Sequence, residues 1–327
     1  MTKALGLLSG GLDSTLAVKV LQEQGIEVTA ITFVTPFFGS KKAERSAGML
    51  KIPIIVKNIT EEHLEMLLKP KHGYGSTMNP CIDCHALMLK TAGRIMEERG
   101  FDFIFTGEVL GERPMSQNKQ SLHIVAKESG YAGYILRPLS AKLLPETKPE
   151  IEGKVSREKL IDLSGRQRKR QFEMAEKYKI KDFPTPASGC RLTDPGFSGR
   201  LRDLIKREGK PAIADIELLK TGRHIALDEK HKLIVGRNEE DNAALATAAS
   251  GKFILFAPHG VRGPYCLAPR ELDEGLLDMA AKIGASYCSG TEGERVVFRE
   301  MSADSPVEIS AVYSRSNRPK EFVGCGR

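Results

Sequence analysis

The first part of the chain alternates short apolar runs with stretches that are apolar at every third or fourth position. Leu5, Leu7 and Leu8 form a strand-like run that ends in Ser9-Gly10-Gly11. Asp13 and Ser14 then open a helix, with Leu16, Ala17, Val20 and Leu21 at helical spacing. The same pattern predicts a strand over Glu27–Phe33, a helix over Lys41–Leu50, a strand over Ile52–Val56 and a helix over Glu61–Leu68. Ala86–Arg99 reads as a helix, Asp102–Thr106 as a fourth strand and Tyr134–Leu139 as a fifth. Lys154–Ile161 and Arg166–Tyr178 are patterned as helices. Strand, helix, strand in this order predicts a parallel α/β sheet with right-handed crossovers.

A Pro/Gly-rich passage over Pro184–Gly196 interrupts this pattern, and the expected boundary divides residues 1–195 from 196–327. Beyond it the character changes. Ser198–Arg207 reads as a helix, and His224–Leu227 with Lys232–Val235 as a hairpin. Asn238-Glu-Glu-Asp241 has the form of a capping box before an alanine-rich helix. A strand over Phe253–Phe256, a helix over Glu271–Ile283 and strands over Arg295–Arg299 and Val307–Tyr313 complete a smaller α+β domain.

Charge adds a partner class. The net charge is +7; residues 1–195 hold 29 Lys/Arg against 23 Asp/Glu (+6), and residues 196–327 hold 20 against 19 (+1). A basic excess in the larger part suits a nucleic-acid partner. No apolar run reaches the length of a membrane span, and no basic flank precedes a signal-type core. A cytoplasmic location with no membrane contact is therefore expected. In that setting the six cysteines point to metal binding or catalysis before disulfides.

The turn after the first strand is the sharpest chemical signal. Its glycines let a ligand approach the backbone, and the N–H groups of the following helix attract phosphate. It is not a Walker loop: no lysine follows the glycines, and Asp13 stands where phosphates would arrive, an arrangement that calls for Mg²⁺ between them. Ser9-Gly-Gly-Leu-Asp-Ser14 resembles the PP-loop of N-type ATP pyrophosphatases, which split ATP between the α and β phosphates and adenylate their substrate. The resemblance implies an adenine nucleotide alpha hydrolase-like sheet. It also implies an ATP site made by Ser9, Gly10, Gly11, Asp13 and Ser14, with Asp13 in a catalytic role. Phe33, at the carboxyl edge of the second strand, could rest against adenine, although core packing explains it equally well.

Cys81 and Cys84 stand as C-x-x-C at a helix start, where thiolates are favoured, so the pKa of both is expected to fall. Cys190 lies in a glycine-containing loop that can fold back toward them. Three thiolates can hold a [4Fe–4S] cluster with one iron open. Zinc with His85 or Asp83 as fourth ligand, a redox pair, and simple buried cysteines are the other readings. Cys266, Cys288 and Cys325 have no ligand spacing.

Asn79-Pro80-Cys81-x-x-Cys84 is similar to the tRNA thiolases of the PP-loop class, ThiI and MnmA. Thr106-Gly-Glu-Val-Leu-Gly-Glu-Arg-Pro-Met-Ser-Gln117 resembles a segment of the ThiI 4-thiouridine synthetases. The resemblance spans residues 1–195. It implies an ATP-dependent tRNA-uridine sulfurtransferase that adenylates a uracil carbonyl oxygen and replaces it with sulfur. Gly107 and Glu108 would then line the nucleotide site, Cys81 and Cys190 would take catalytic roles, and Cys81, Cys84 and Cys190 would hold the cluster. The expected partners are tRNA and a sulfide or persulfide donor, and a homodimer is open to the chain. ThiI enzymes carry an RNA-binding THUMP region before the loop. This sequence starts at the loop, so tRNA docking is expected elsewhere. Gly222-Arg-His224 and Val235-Gly-Arg-Asn238 resemble the small domain of NFACT proteins. PP-loop ligases with nitrogen nucleophiles, or a metal-bound RNA-binding module, are the alternative readings.

Overall fold

A computed structural model describes residues 1–181, 183, 189–249, 251–301 and 308–323. It divides into two compact units, Met1–Thr193 and Asp194–Arg327. The helix that begins at Pro195 is capped by the Asp194 side chain, which accepts from the Phe197 N–H at 2.6 Å.

The first unit is an α/β layer structure. Its strands are β1 (Lys3–Leu7), β2 (Glu27–Val34), β3 (Ile54–Asn58), β4 (Phe103–Thr106) and β5 (Ile135–Leu136), and they lie in the order β3-β2-β1-β4-β5. All four pairings are parallel. The helices are α1 (Leu12–Gln22), α2 (Lys41–Leu50), α3 (Thr60–Leu68), α4 (Cys81–Arg99), α5 (Lys119–Ser129), the single turn α6 (Lys148–Ile151) and α7 (Lys169–Lys177).

Both faces of the sheet are covered. On one side Ala4, Phe103 and Phe105 pack with Leu16, Val20 and Leu21 of α1 and with Ala43, Ala47 and Leu50 of α2. On the other, Leu5, Ile31, Phe33 and Ile104 pack with Leu89, Ala92, Ile95 and Met96 of α4 and Val125 of α5. The strands are consequently apolar on alternate sides without a polar face, as a doubly covered parallel sheet requires.

Three helical expectations shift. Helix α4 starts at Cys81 instead of Ala86, so both motif cysteines are helical. The expected helix over residues 154–161 is only a 3-10 turn at Arg157–Lys159, because Gly153 at φ +69° has already ended α6. Helix α7 starts at Lys169, so Arg166 and Arg168 precede it.

The second unit begins with α8 (Pro195–Glu208) and α9 (Ile213–Leu218). Its strands β6 (Arg223–Ala226), β7 (Lys232–Val235), β8 (Phe253–His259), β9 (Cys266–Pro269), β10 (Arg295–Glu300) and β11 (Glu308–Val312) form one antiparallel sheet in the order β11-β10-β8-β9-β7-β6. Helices α10 (Glu239–Ala248) and α11 (Glu274–Ala285) accompany it, and the α11 residues Ala280 and Ile283 share a core with Leu233, Phe256 and Phe298 of the sheet. Cys266 and Cys288 are buried in that core, where burial pushes Cys288 up to about 11 and Cys266 higher still. Cys325 lies outside the described residues. Among the described residues no helix is long and apolar enough to cross a membrane.

Candidate functional site

The strand order places β1 between β2 and β4, so the crossovers that leave β1 and β4 run in opposite directions and the loops after these two strands meet at the carboxyl edge of the sheet. That is where open α/β sheets receive ligands. The loop after β1 is Ser9-Gly10-Gly11. Gly10 has φ +78°, and a Cβ there would lie 2.4 Å from the Lys42 backbone, so only glycine fits. Gly11 is the N-cap of α1; its carbonyl accepts from Ser14 Oγ at 2.9 Å and Thr15 Oγ1 at 3.0 Å. Ser9 Oγ accepts from the Gly11 N–H at 3.3 Å. The second loop presses on the first: a Cβ on Gly107 would lie 2.4 Å from Ser14 N and Cα. Gly107 thus sets the spacing of the two loops by having no side chain.

Asp13 projects from the first turn of α1 and its Oδ1 is buried with no hydrogen-bond partner. Burial raises its pKa, which the charge of Arg168 opposes. Arg168 Nη2 stands 3.4 Å from Asp13 Oδ2, and Arg168 Nε 3.5 Å from Glu112 Oε1. Burial, then the neighbouring Asp13, raises the pKa of Glu112 also. An orphaned carboxylate oxygen beside a second carboxylate is a donor set suited to Mg²⁺, a hard cation with oxygen ligands. Asp13 and Glu112 are the residues that would hold it.

The Glu108 carboxylate is held by the protein's own side chains. His85 Nδ1 lies 3.0 Å from Oε1, while Arg137 Nε donates to Oε2 at 2.9 Å and Thr106 Oγ1 donates to it at 3.0 Å. Despite burial, the Arg137 charge holds Glu108 far below the usual carboxylate range, with His85 adding to it. Phe33 packs in the core and is 4% exposed. Ser116 and Gln117 are buried in a turn, where Gln117 Oε1 accepts from the Arg113 N–H at 3.2 Å.

The thiols occupy the start of α4 and a loop that comes back to it. Thr77 Oγ1 donates to the Leu192 carbonyl at 2.6 Å and the Arg191 N–H to the Phe37 carbonyl at 3.0 Å, which anchors the Cys190 loop beside α4 and the end of β2. Asn79 Nδ2 donates to Cys81 Sγ at 3.2 Å. Cys84 Sγ stands 3.3 Å from Nε2 of His63, a buried ring of α3 held between Phe37 and Phe38 with centroids 5.4 Å from each. Burial pushes His63 down to about 4, so it is neutral at pH 7.

The expected fall in the Cys84 pKa is corrected. Burial raises it well above the usual value, and the charges of Cys190, Cys81 and Asp83 act in the same direction, outweighing the helix start. Burial pushes Cys190 up to about 11. Among the described residues no three His, Cys, Asp or Glu groups are gathered closely enough to hold a metal ion. The Thr77–Leu192 and Arg191–Phe37 hydrogen bonds nonetheless bring the Cys190 loop to the start of α4, and soft thiolates are the usual ligands of iron–sulfur clusters. The candidate fourth ligands for zinc are engaged: His85 Nδ1 with Glu108, and Asp83 with the His72 N–H at 2.9 Å and His72 Nδ1 at 2.8 Å.

His63, Glu112, Arg137 and Arg168 were not singled out as site residues by the sequence pattern. Arg168 sits in the basic run Arg166-Gln-Arg-Lys-Arg170, whose charge suits an RNA contact or a solvated face equally; the structure turns Arg168 toward Asp13 and pairs Arg170 with Asp162 at 2.6 Å.

Residues 1–143 match the ThiI family, described as thiamine biosynthesis protein, and residues 222–319 match the NFACT protein RNA-binding domain. Among solved structures, the chain is similar to a predicted subunit of tRNA methyltransferase from Methanocaldococcus jannaschii, at 20% identity and TM-score 0.32, covering 42% of this chain and 69% of that one. It is similar to a 4-thiouridine synthetase solved with RNA and ATP, at 20% identity and TM-score 0.32, covering 55% of this chain and 52% of that one. NMN synthetase from Francisella tularensis is similar at 16% identity and TM-score 0.27, covering 57% of this chain and 89% of that one. The match to the 4-thiouridine synthetase spans about half of that protein's length.

Proposed function

We propose that this chain, a PP-loop domain of the ThiI kind followed by a domain of the NFACT RNA-binding kind, is an ATP-dependent tRNA-uridine thiolase. The observation that carries the reading is that, in the first unit, the glycine loop bears Asp13 on the first turn of α1 while the Cys190 loop is anchored beside the Cys81-x-x-Cys84 start of α4 and the end of β2. ATP would lie with its phosphates on the N–H groups of Gly10–Ser14 at the positive end of α1. Asp13 and Glu112 would hold Mg²⁺, which supplies charge neutralisation at the phosphates. A uracil carbonyl oxygen attacks the α-phosphate, pyrophosphate leaves, and incoming sulfide then displaces AMP.

Around that chemistry the chain's own groups act in fixed ways. Arg137 and Thr106 hold Glu108, and Glu108 holds the His85 ring from Nδ1, so the wall beside the thiols is rigid. Packing of Phe37 and Phe38 fixes the His63 ring, whose Nε2 lies 3.3 Å from Cys84 Sγ. A [4Fe–4S] cluster on Cys81, Cys84 and Cys190 would supply an open iron for the incoming sulfur.

The test is incubation of full-length protein with unmodified tRNA, MgATP and sulfide under anaerobic conditions. Expected are AMP, pyrophosphate and a thiolated uridine detected by mass spectrometry of digested nucleosides, all lost in Asp13→Ala. AMP release that needs ammonia or an amine in place of sulfide would instead assign the chain to the PP-loop ligases.

A further inference from the structure

The nucleotide loop lacks a cation of its own, since no lysine follows its glycines. Phosphate-binding loops that end in Gly-Lys use the lysine for the outer phosphates. The structure brings a cation from elsewhere: Arg168 reaches Asp13 across 155 positions of sequence. Its side chain is 13% exposed and Asp13's is 22% exposed, so the pair sits inside the site and not on a solvated face.

The pair is also poorly satisfied. Arg168 Nε and Nη1 are buried and make no hydrogen bond, and the same is true of Asp13 Oδ1. The two contacts that Arg168 does make, 3.4 Å to Asp13 and 3.5 Å to Glu112, are longer than the 2.7–2.9 Å of a formed charge-assisted bond. The guanidinium lies over the Phe172 ring, 5.6 Å from its centroid, which holds its plane while leaving the fork open. A buried five-donor fork with free N–H groups fits a planar or tetrahedral oxyanion, and a buried carboxylate with a free oxygen fits a cation. A metal-bound polyphosphate brings both at once. Arg113 is the other cation acting on Asp13, but it is exposed and acts on Cys190 as well.

We propose that Arg168 binds the pyrophosphate end of ATP, and that in the nucleotide-free protein it occupies the place beside Asp13 which Mg²⁺ takes when the nucleotide enters. The inference rests on the ATP-site reading of Ser9–Ser14 and names the group that grips the leaving pyrophosphate.

Calorimetric titration of the full-length protein with ATP, inorganic pyrophosphate and AMP, each with Mg²⁺, tests it. Arg168→Gln is expected to weaken ATP and pyrophosphate at least tenfold and AMP less than twofold, as loss of a charge-assisted fork implies. Arg168→Lys keeps the charge without the fork and is expected between wild type and Arg168→Gln. Equal loss for pyrophosphate and AMP would assign Arg168 to holding the loop's shape and overturn the proposal, as would an unchanged pyrophosphate affinity. If Arg168→Gln does not fold, the same comparison made on Arg168→Lys decides. A wild-type protein that shows the pyrophosphate selectivity yet thiolates no tRNA leaves this inference standing and removes the thiolase reading. A wild-type protein that binds neither ATP nor pyrophosphate removes both.

Discussion

Glu108 is a loop acid in the sequence and a buried anion in the fold, and the difference has measurable weight. Arg137 is 7% exposed, so removing its partner would leave a buried unpaired charge. Glu108→Gln is expected to destabilise the first unit by about 3–5 kcal/mol at pH 7, read by urea denaturation. The Glu108 pKa lies below that of an unfolded carboxylate, so its contribution is complete above the ordinary range and lost as pH falls below it. The stabilities of wild type and variant should therefore draw steadily closer as pH falls below the ordinary carboxylate range. His224 gives the second unit its own acid sensitivity. Its ring is buried on β6 with Nε2 donating to the Thr221 carbonyl at 3.0 Å, and burial pushes its pKa down to about 3. The neutral ring is the form that folds. Its contribution is full above the ordinary histidine pKa of about 6.5 and declines by about 1.4 kcal/mol per pH unit below it. His224→Gln keeps the donor and should flatten the melting profile from pH 6 to 4; an unchanged slope would assign the acid sensitivity to other groups. Neither environment could be read from spacing, because both depend on which side chains arrive from distant elements.

Among the elements, the strands of the parallel sheet were the most legible, since buried strands are nearly continuous apolar runs. Helix α5 shows the opposite case. Its Leu122, Val125 and Ala126 have helical spacing and Asn118 caps it, yet it follows directly on a polar loop that masks its start. The early start of α4 matters more, because it puts Cys81 and Cys84 on one helical turn with Cys190 arriving from another segment. If these thiols hold a cluster, anaerobically purified protein is brown with about four irons per chain. Any one Cys→Ser change should bleach it, and His85→Ala should not. Stoichiometric zinc without iron would defeat that assignment. The two loops at the sheet edge are joined through Gly107, where a methyl would meet the Ser14 backbone. Gly107→Ala is expected to weaken MgATP binding at least tenfold, because α1 must shift to admit the methyl and its first-turn N–H groups move with it. Gly107 was named from the sequence as a nucleotide contact; its close backbone packing could not be, since that is a property of two loops together.

For the molecule as a whole, the division into an α/β unit and an α+β unit was visible as a change of pattern at the Pro/Gly passage, of which residues 184–188 lie outside the described set. The second unit was read less well, because β9 and α9 are short and carry no turn or cap signal of their own. In the basic run at the start of α7, Arg168 is directed to Asp13 and Arg170 is paired with Asp162. Arg166 and Lys169 remain exposed. Alanine at both should lower the log–log salt slope of tRNA binding by about 2, measured by filter binding, if each meets a phosphate. An unchanged slope would move the contact to the other unit. The unmatched polar atoms around Asp13 carry a last consequence, which is thermal. Buried groups without partners make the nucleotide-free chain less stable than it could be. A ligand that satisfies them adds about 2.7 kcal/mol at a hundredfold excess over its Kd. The melting temperature of this protein should then track the ATP around it, and a starved cell would hold it in its most perishable form.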